Sequence, residues 1–134
     1  MRARFESARV ARLATVDAHD RPHLVPVCFA LDGETIVTAV DAKPKTTTAL
    51  RRVANVRANP AVSLLVDHYD DDWTRLWWAR ADGSAHVVED GAAYDHAIAR
   101  LVARYAQYRD APPRGPAILV MVGRWRGWSW RQDA

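Results

Sequence analysis

Apolar residues recur at every second position over short stretches of this chain, and turn-forming residues interrupt each stretch before it reaches helical length. Val10 to Val16 alternates apolar with polar or small residues, the pattern of a strand with one buried face. Ala18 to Pro22 reads as a turn, and a second strand follows over His23 to Leu31 with Val25, Val27 and Phe29 on one face. Asp32-Gly33 supplies a hairpin turn into a third strand, Glu34 to Val40. Three strands joined by tight turns predict an antiparallel meander.

Helical spacing enters in three places. Residues 2–9 allow one or two turns with Phe5 and Ala8 on one face. Thr46 or Thr47 is a plausible N-cap for a helix that begins at Ala49 and ends before Asn59-Pro60. Ala92 to Tyr108 carries Ala93, Ala97, Leu101, Tyr105 and Tyr108 on one stripe, with Pro112-Pro113 stopping it. Between these, Ala61 to Val66 is nearly all apolar and is expected to be covered on both faces. Trp73 to Val88 reads as a long strand or hairpin interrupted at Asp82-Gly83, and Ile118 to Val122 as a last strand before a basic aromatic segment. Six or seven mostly antiparallel strands with peripheral helices, an α+β chain that is mainly β, favour a small barrel over a doubly wound sheet.

The chain, residues 1–134, has the length of one domain, and 49% apolar with 26% charged residues is the balance of a globular protein. The longest uncharged apolar run, Pro116 to Gly123, is far short of a membrane span, and no membrane span or signal peptide is expected. Cys28 is a lone cysteine, so no internal disulfide is expected and the cytoplasm is the default location. A net charge of +3 is too small an excess to imply a nucleic-acid partner, and none is expected. Seventeen of the 19 basic residues are arginine, and the two lysines, Lys43 and Lys45, fall within three positions of each other.

The histidines, at 19, 23, 68, 86 and 96, show no metal-ligand spacing, and no metal site is expected. No serine sits in a nucleophile elbow, and neither a dinucleotide fingerprint nor a P-loop is present. Cys28, mid-strand, reads as a packed small residue. What remains is Lys43 to Thr48, at a strand-to-helix junction, where helix N–H groups, two ammonium groups and hydroxyls converge as they do on a phosphate. A capped helix behind a solvated basic loop is the plainer account of the same residues. Six tryptophans, Trp73, Trp77, Trp78, Trp125, Trp128 and Trp130, crowd the C-terminal half as core, as an interface, or as plates for a flat ring.

Taken in order, Ala11 to Val16, Arg21 to Val27, Lys43-Pro44-Lys45-Thr46 with Leu50-Arg51-Arg52, and Asn59 to Asp67 resemble the pyridoxamine 5'-phosphate oxidase-like split β-barrel proteins. The resemblance spans roughly Val10 to Trp128 and is closest to the short actinobacterial branch that uses the deazaflavin coenzyme F-420. It implies an FMN-binding-protein-like split barrel and a homodimer with the cofactor in a groove between subunits. It also implies hydride transfer between coenzyme F-420 and a small unsaturated or carbonyl substrate. An FMN-dependent oxidoreductase and a non-catalytic haem-binding barrel are the alternatives. Carried over residue by residue, Lys43, Lys45 and Thr46 match the phosphate grip, and Thr47 stands where relatives often have another arginine. Together with the lysines, Arg51, Arg52 and, further along the same helix, Arg57 extend cationic character toward the anionic tail of coenzyme F-420. Pro26, Val27 and Cys28 match the segment along the ring, and Trp78 and Trp128 match positions near the groove. His68 and Tyr69 are the candidate proton donors.

Overall fold

The computed structural model describes residues 1–41 and 47–131. Among these, seven strands form one antiparallel sheet: β1 (Ala11–Val16), β2 (Pro22–Val27), β3 (Ala30–Asp32), β4 (Thr35–Ala39), β5 (Ala61–His68), β6 (Trp77–Val88) and β7 (Ala117–Ser129). Their lateral order is β2-β1-β5-β6-β7-β4-β3. The helices are α1 (Arg2–Ser7), α2 (Thr47–Ala58), α3 (Gly91–Arg104) and α4 (Ala106–Asp110), with a 3-10 turn at Trp73–Arg75. No helix among the described residues is long and apolar enough to cross a membrane.

The two edge strands, β2 and β3, are consecutive in the chain and separated only by Cys28 and Phe29. The sheet therefore curls until its edges are joined by two residues, which makes it a half-barrel. The strand expected over His23 to Leu31 is thus two strands. Ladder partners decide the break: β1 begins at Ala11, opposite Val27, so the chain runs out of neighbour there and bends to pair Ala30 with Val37 on β4. Backbone groups at the bend find other partners, as buried polar groups must. The Thr38 hydroxyl donates to the Cys28 carbonyl at 2.7 Å, and the Phe29 N–H donates to the Tyr105 hydroxyl at 3.1 Å. Pro22 and Pro26 are tolerated on β2 because it is an edge strand.

Inside the curl, Leu13, Leu64, Ala81 and Trp125 stand in one lateral row across β1, β5, β6 and β7. Phe5 of α1 packs edge-on against Phe29 and Trp125. Helix α2 adds Val53 and Val56, and its buried Asn55 donates to Thr15 Oγ1 at 3.0 Å. On the opposite face, α3 lays Ala97 and Leu101 against Ala30, Val37, Ala39 and Leu119.

That second layer corrects two expectations. The strand covered on both faces within the protomer is β4, whereas β5 alternates, with Val62, Leu64 and Val66 buried and Ser63 and Leu65 half-exposed. Helix α3 covers only the β3-β4-β7 side, leaving the outer face of β5 bare. The helical stripe expected over Ala92 to Tyr108 breaks at Tyr105, and Ala93 is exposed while Tyr94 packs inward. The irregularity expected at Asp82-Gly83 is a register shift in the β6–β7 ladder, and a side chain at Gly83 would stand 2.4 Å from the Met121 carbonyl oxygen.

Candidate functional site

Strand alternation places every second residue of β1, β2, β5, β6 and β7 on the face that α3 leaves uncovered. Ladder register lines these residues up in rows. One row runs Pro26, Arg12, Leu65, Arg80, Arg126, and the next runs Leu24, Ala14, Ser63, Asp82, Arg124. A third holds Asp67, Trp78 and Trp128. The face thus alternates apolar and charged residues, and a groove of about 710 Å³ opens in it, lined by Arg12, Ala14, Leu24, Ser63, Leu65, Asp67, Trp78 and Arg80.

The charges are held in place by neighbours on the same face. Arg12 donates to Asp67 at 3.2 Å. Asp82 accepts from the Ser63 hydroxyl at 2.7 Å and from Arg80 Nε at 2.9 Å, while the Arg80 guanidinium lies over the Trp78 ring. Burial pushes the Asp82 carboxyl upward, but the Ser63 and Arg80 hydrogen bonds and the guanidinium charges of Arg80 and Arg124 more than offset it and hold the group below its ordinary value. Two fixed arginines beside an indole and aliphatic walls suit a flat, anionic or electron-poor ring.

A second polar cluster sits where the sheet edges join. Cys28 is exposed there. Burial pushes the Tyr108 phenol well above its ordinary range, with Asp41 and Cys28 adding to the shift. Arg52 is partly buried against the same group; desolvation lowers its pKa and the Asp41 charge opposes this. Its Nε is buried and has no hydrogen-bond partner among the described residues.

The family model for pyridoxamine 5'-phosphate oxidase matches residues 1–129. The chain belongs to the pyridoxamine 5'-phosphate oxidase-like family. No curated protein matches it. Among solved structures it is similar to a conserved hypothetical protein of Mycobacterium tuberculosis, at 23% identity over 96% of this chain and 82% of that one, with a TM-score of 0.74. It is similar to HutZ, the heme storage protein of Vibrio cholerae, at 18% identity over 96% and 90%, TM-score 0.73. A FAD-binding protein of Mesorhizobium loti matches at 18% identity over 94% and 89%, TM-score 0.70. At these identities the likeness shows the shared split-barrel fold.

Within that fold, the residues expected from the sequence divide. Trp78 lines the outer groove, and Trp128 stands directly across the ladder from it, 41% exposed. Pro26 lies exposed in the row that passes through Arg12 and Leu65. Val27 points into the core, so only its backbone faces the surroundings. Cys28 is at the crossover and exposed, where the sequence suggested a packed position. Arg51 is exposed, and its neighbour Arg52 is the arginine that turns inward. Thr47 opens α2, while Lys43, Lys45 and Thr46 lie outside the described residues. Of the two proton-donor candidates, Tyr69 is 66% exposed and His68 stacks on Trp77; neither lines the groove.

Arg12, Leu24, Leu65 and Arg80 line the groove without having been singled out by the sequence, where Ala61 to Val66 reads as covered on both faces. What was lacking was the lateral register that brings five strands into rows. The sequence places Tyr108 on a helix stripe and Arg52 with Arg51 in the basic stretch after the lysines; their juxtaposition with Cys28 and Asp41 is a contact between distant segments.

Proposed function

We propose that this chain is a homodimeric oxidoreductase that transfers a hydride between coenzyme F-420 and a small unsaturated or carbonyl substrate. The observation that carries the reading is the uncovered groove, in which Trp78, Leu24 and Leu65 offer a flat apolar seat between the paired charges Arg12–Asp67 and Arg80–Asp82. A second copy of the chain laid on this face would close the groove and exclude water, which strengthens every charge inside it. In this reading Lys43, Lys45 and Thr46, immediately ahead of α2, take the phosphate, and Arg51 faces the anionic tail. Pro26 and the Cys28 backbone run along the ring edge, and Trp128 borders the seat beside Trp78. The bound cofactor supplies the hydride chemistry, and the protein supplies position, electrostatics and shielding. The Tyr108 hydroxyl, half-buried beside Cys28 and Asp41, is the phenol we assign as a hydrogen-bond donor near the Cys28 segment.

FMN in the same seat is the second reading, supported by the similarity in fold to a FAD-binding protein of Mesorhizobium loti. Titrating the protein with coenzyme F-420, FMN and haem in parallel, with tryptophan quenching as readout, separates the readings. The proposal expects coenzyme F-420 to bind most tightly, with an affinity that falls as salt rises because exposed cations share its tail. Tighter FMN binding at physiological salt replaces it with the FMN reading, and tight haem binding with neither flavin replaces it with a haem-binding barrel.

A further inference from the structure

The curl of the sheet closes through two residues, Cys28 and Phe29, and side chains from two distant segments hold their backbone. The buried Thr38 hydroxyl of β4 donates to the Cys28 carbonyl. The Tyr105 hydroxyl takes both backbone groups of Phe29: it accepts the N–H at 3.1 Å and donates to the carbonyl at 2.9 Å. The Arg9 carbonyl, just ahead of β1, is a second acceptor for that hydroxyl at 2.9 Å. One phenol thus ties the approach to β1, the crossover between the edge strands and the junction of α3 with α4. Tyr105 is also the one residue from Gly91 to Asp110 that leaves helical geometry, with φ −117° and ψ 122°. The helix breaks at the residue whose side chain serves the crossover. The Arg104 guanidinium over the Phe29 ring at 4.7 Å, with Phe5 edge-on, fixes that ring as well. Cys28 has its carbonyl pinned and its thiol exposed.

We propose that Tyr105 and Thr38 are positioning residues for the cofactor ring: their hydroxyls set the backbone of the Cys28–Phe29 crossover and thereby the placement of Cys28 against the ring edge. This role rests on the reading above, in which the Cys28 backbone runs along that edge. Neither side chain has to touch the cofactor. Loss of either hydroxyl leaves a backbone group of the crossover without its partner, and the segment must move to satisfy it. A link of two residues has no slack to absorb that movement, so Cys28 moves with it. Backbone dipoles act on a bound ring only from the position in which they are held, so the ring's surroundings change.

Tyr105→Phe and Thr38→Val each remove one hydroxyl at nearly constant volume. Tyr94→Phe, which removes a phenol hydroxyl from the Gly115 carbonyl elsewhere on α3, is the matched control. In cofactor-free protein, the rate at which the lone cysteine, Cys28, reacts with dithiobis-nitrobenzoate reports the crossover directly. In protein loaded with coenzyme F-420 or FMN, affinity and the visible absorption band of the bound ring report its surroundings. Tyr105→Phe and Thr38→Val are each expected to change the thiol rate and weaken cofactor binding by roughly threefold to tenfold, the worth of one hydrogen bond, and to shift the band. Tyr94→Phe is expected to leave all three at wild-type values. An unchanged thiol rate in both hydroxyl variants overturns the proposal, because the crossover then does not depend on them. A changed thiol rate with wild-type affinity and band also overturns it, as does a control that shifts as the variants do. Wild-type protein that binds neither cofactor removes the oxidoreductase reading and this role with it, an outcome distinct from wild-type binding that the variants leave unaltered. If one variant does not fold, the other carries the test.

Discussion

Ser63 donates its hydroxyl to the Asp82 carboxylate at 2.7 Å across the β5–β6 ladder, directly opposite it in register. The same carboxylate receives Arg80, so one acid fixes both a strand pair and a groove arginine. Its folded-state pKa lies below the unfolded value of about 3.9. The stability it contributes is therefore fully present above pH about 4 and is lost as pH falls through the folded value. Asp82→Asn is expected to cost about 1 kcal/mol at neutral pH, given partial exposure and hydrogen bonds to a charged group. Urea denaturation at pH 7 and pH 3 checks this. The difference between wild type and variant should shrink at the lower pH, and an equal gap at both contradicts the assignment.

Helix α2 is held to β1 by one buried polar pair, Asn55 to Thr15, with Thr15 only 1% exposed. Asn55→Ala leaves the Thr15 hydroxyl without a partner and is expected to destabilise the fold by about 1–3 kcal/mol. Replacing both, Asn55→Leu with Thr15→Val, should recover much of the loss. A double variant no more stable than the single one would show that the cost lies in packing instead.

Lysine substitution tests the phosphate grip proposed for Lys43 and Lys45. One charge-assisted contact contributes about 1.5–3 kcal/mol, so Lys45→Ala should weaken cofactor binding roughly tenfold to a hundredfold. Calorimetric titration reads this directly, and unchanged affinity after replacing both Lys43 and Lys45 by alanine removes them from the site.

The bare outer face makes the oligomeric state sensitive to a single residue. Leu65 sits between Arg12 and Arg80 in its row, half-buried in the protomer. In a dimer built on this face Leu65→Glu places a carboxylate in an apolar seam, and sedimentation should shift from twice the 15.0 kDa protomer to the protomer itself. A wild-type protein that sediments as the protomer at micromolar concentration would refute the interface.

Local pattern made much of the fold legible. Alternation at Ala11 to Val16, the Asp32-Gly33 turn with Gly33 at positive φ, and the interruption at Asp82-Gly83 all have causes within a few residues of themselves. The split of the second strand at Cys28 has its cause elsewhere, in where β1 starts and where β4 offers a new partner. Ala93 and Tyr94 show the same limit: both suit a helix face, and only the position of Gly115, whose carbonyl accepts from the Tyr94 hydroxyl, selects Tyr94.

By itself the sequence determined an antiparallel, turn-punctuated chain of the pyridoxamine 5'-phosphate oxidase-like kind, because side-chain periodicity and turn chemistry act over neighbouring residues. Alternation over Val10 to Val16 also marked one face of that strand as buried. Only the tertiary structure decided that Arg12, Leu65, Trp78 and Arg80 align into one groove, that α3 covers β4 and not β5, and that Arg52 turns inward while Arg51 does not. Those outcomes depend on lateral register and on which layer reaches which face, and both are set by contacts between residues tens of positions apart that no local pattern encodes.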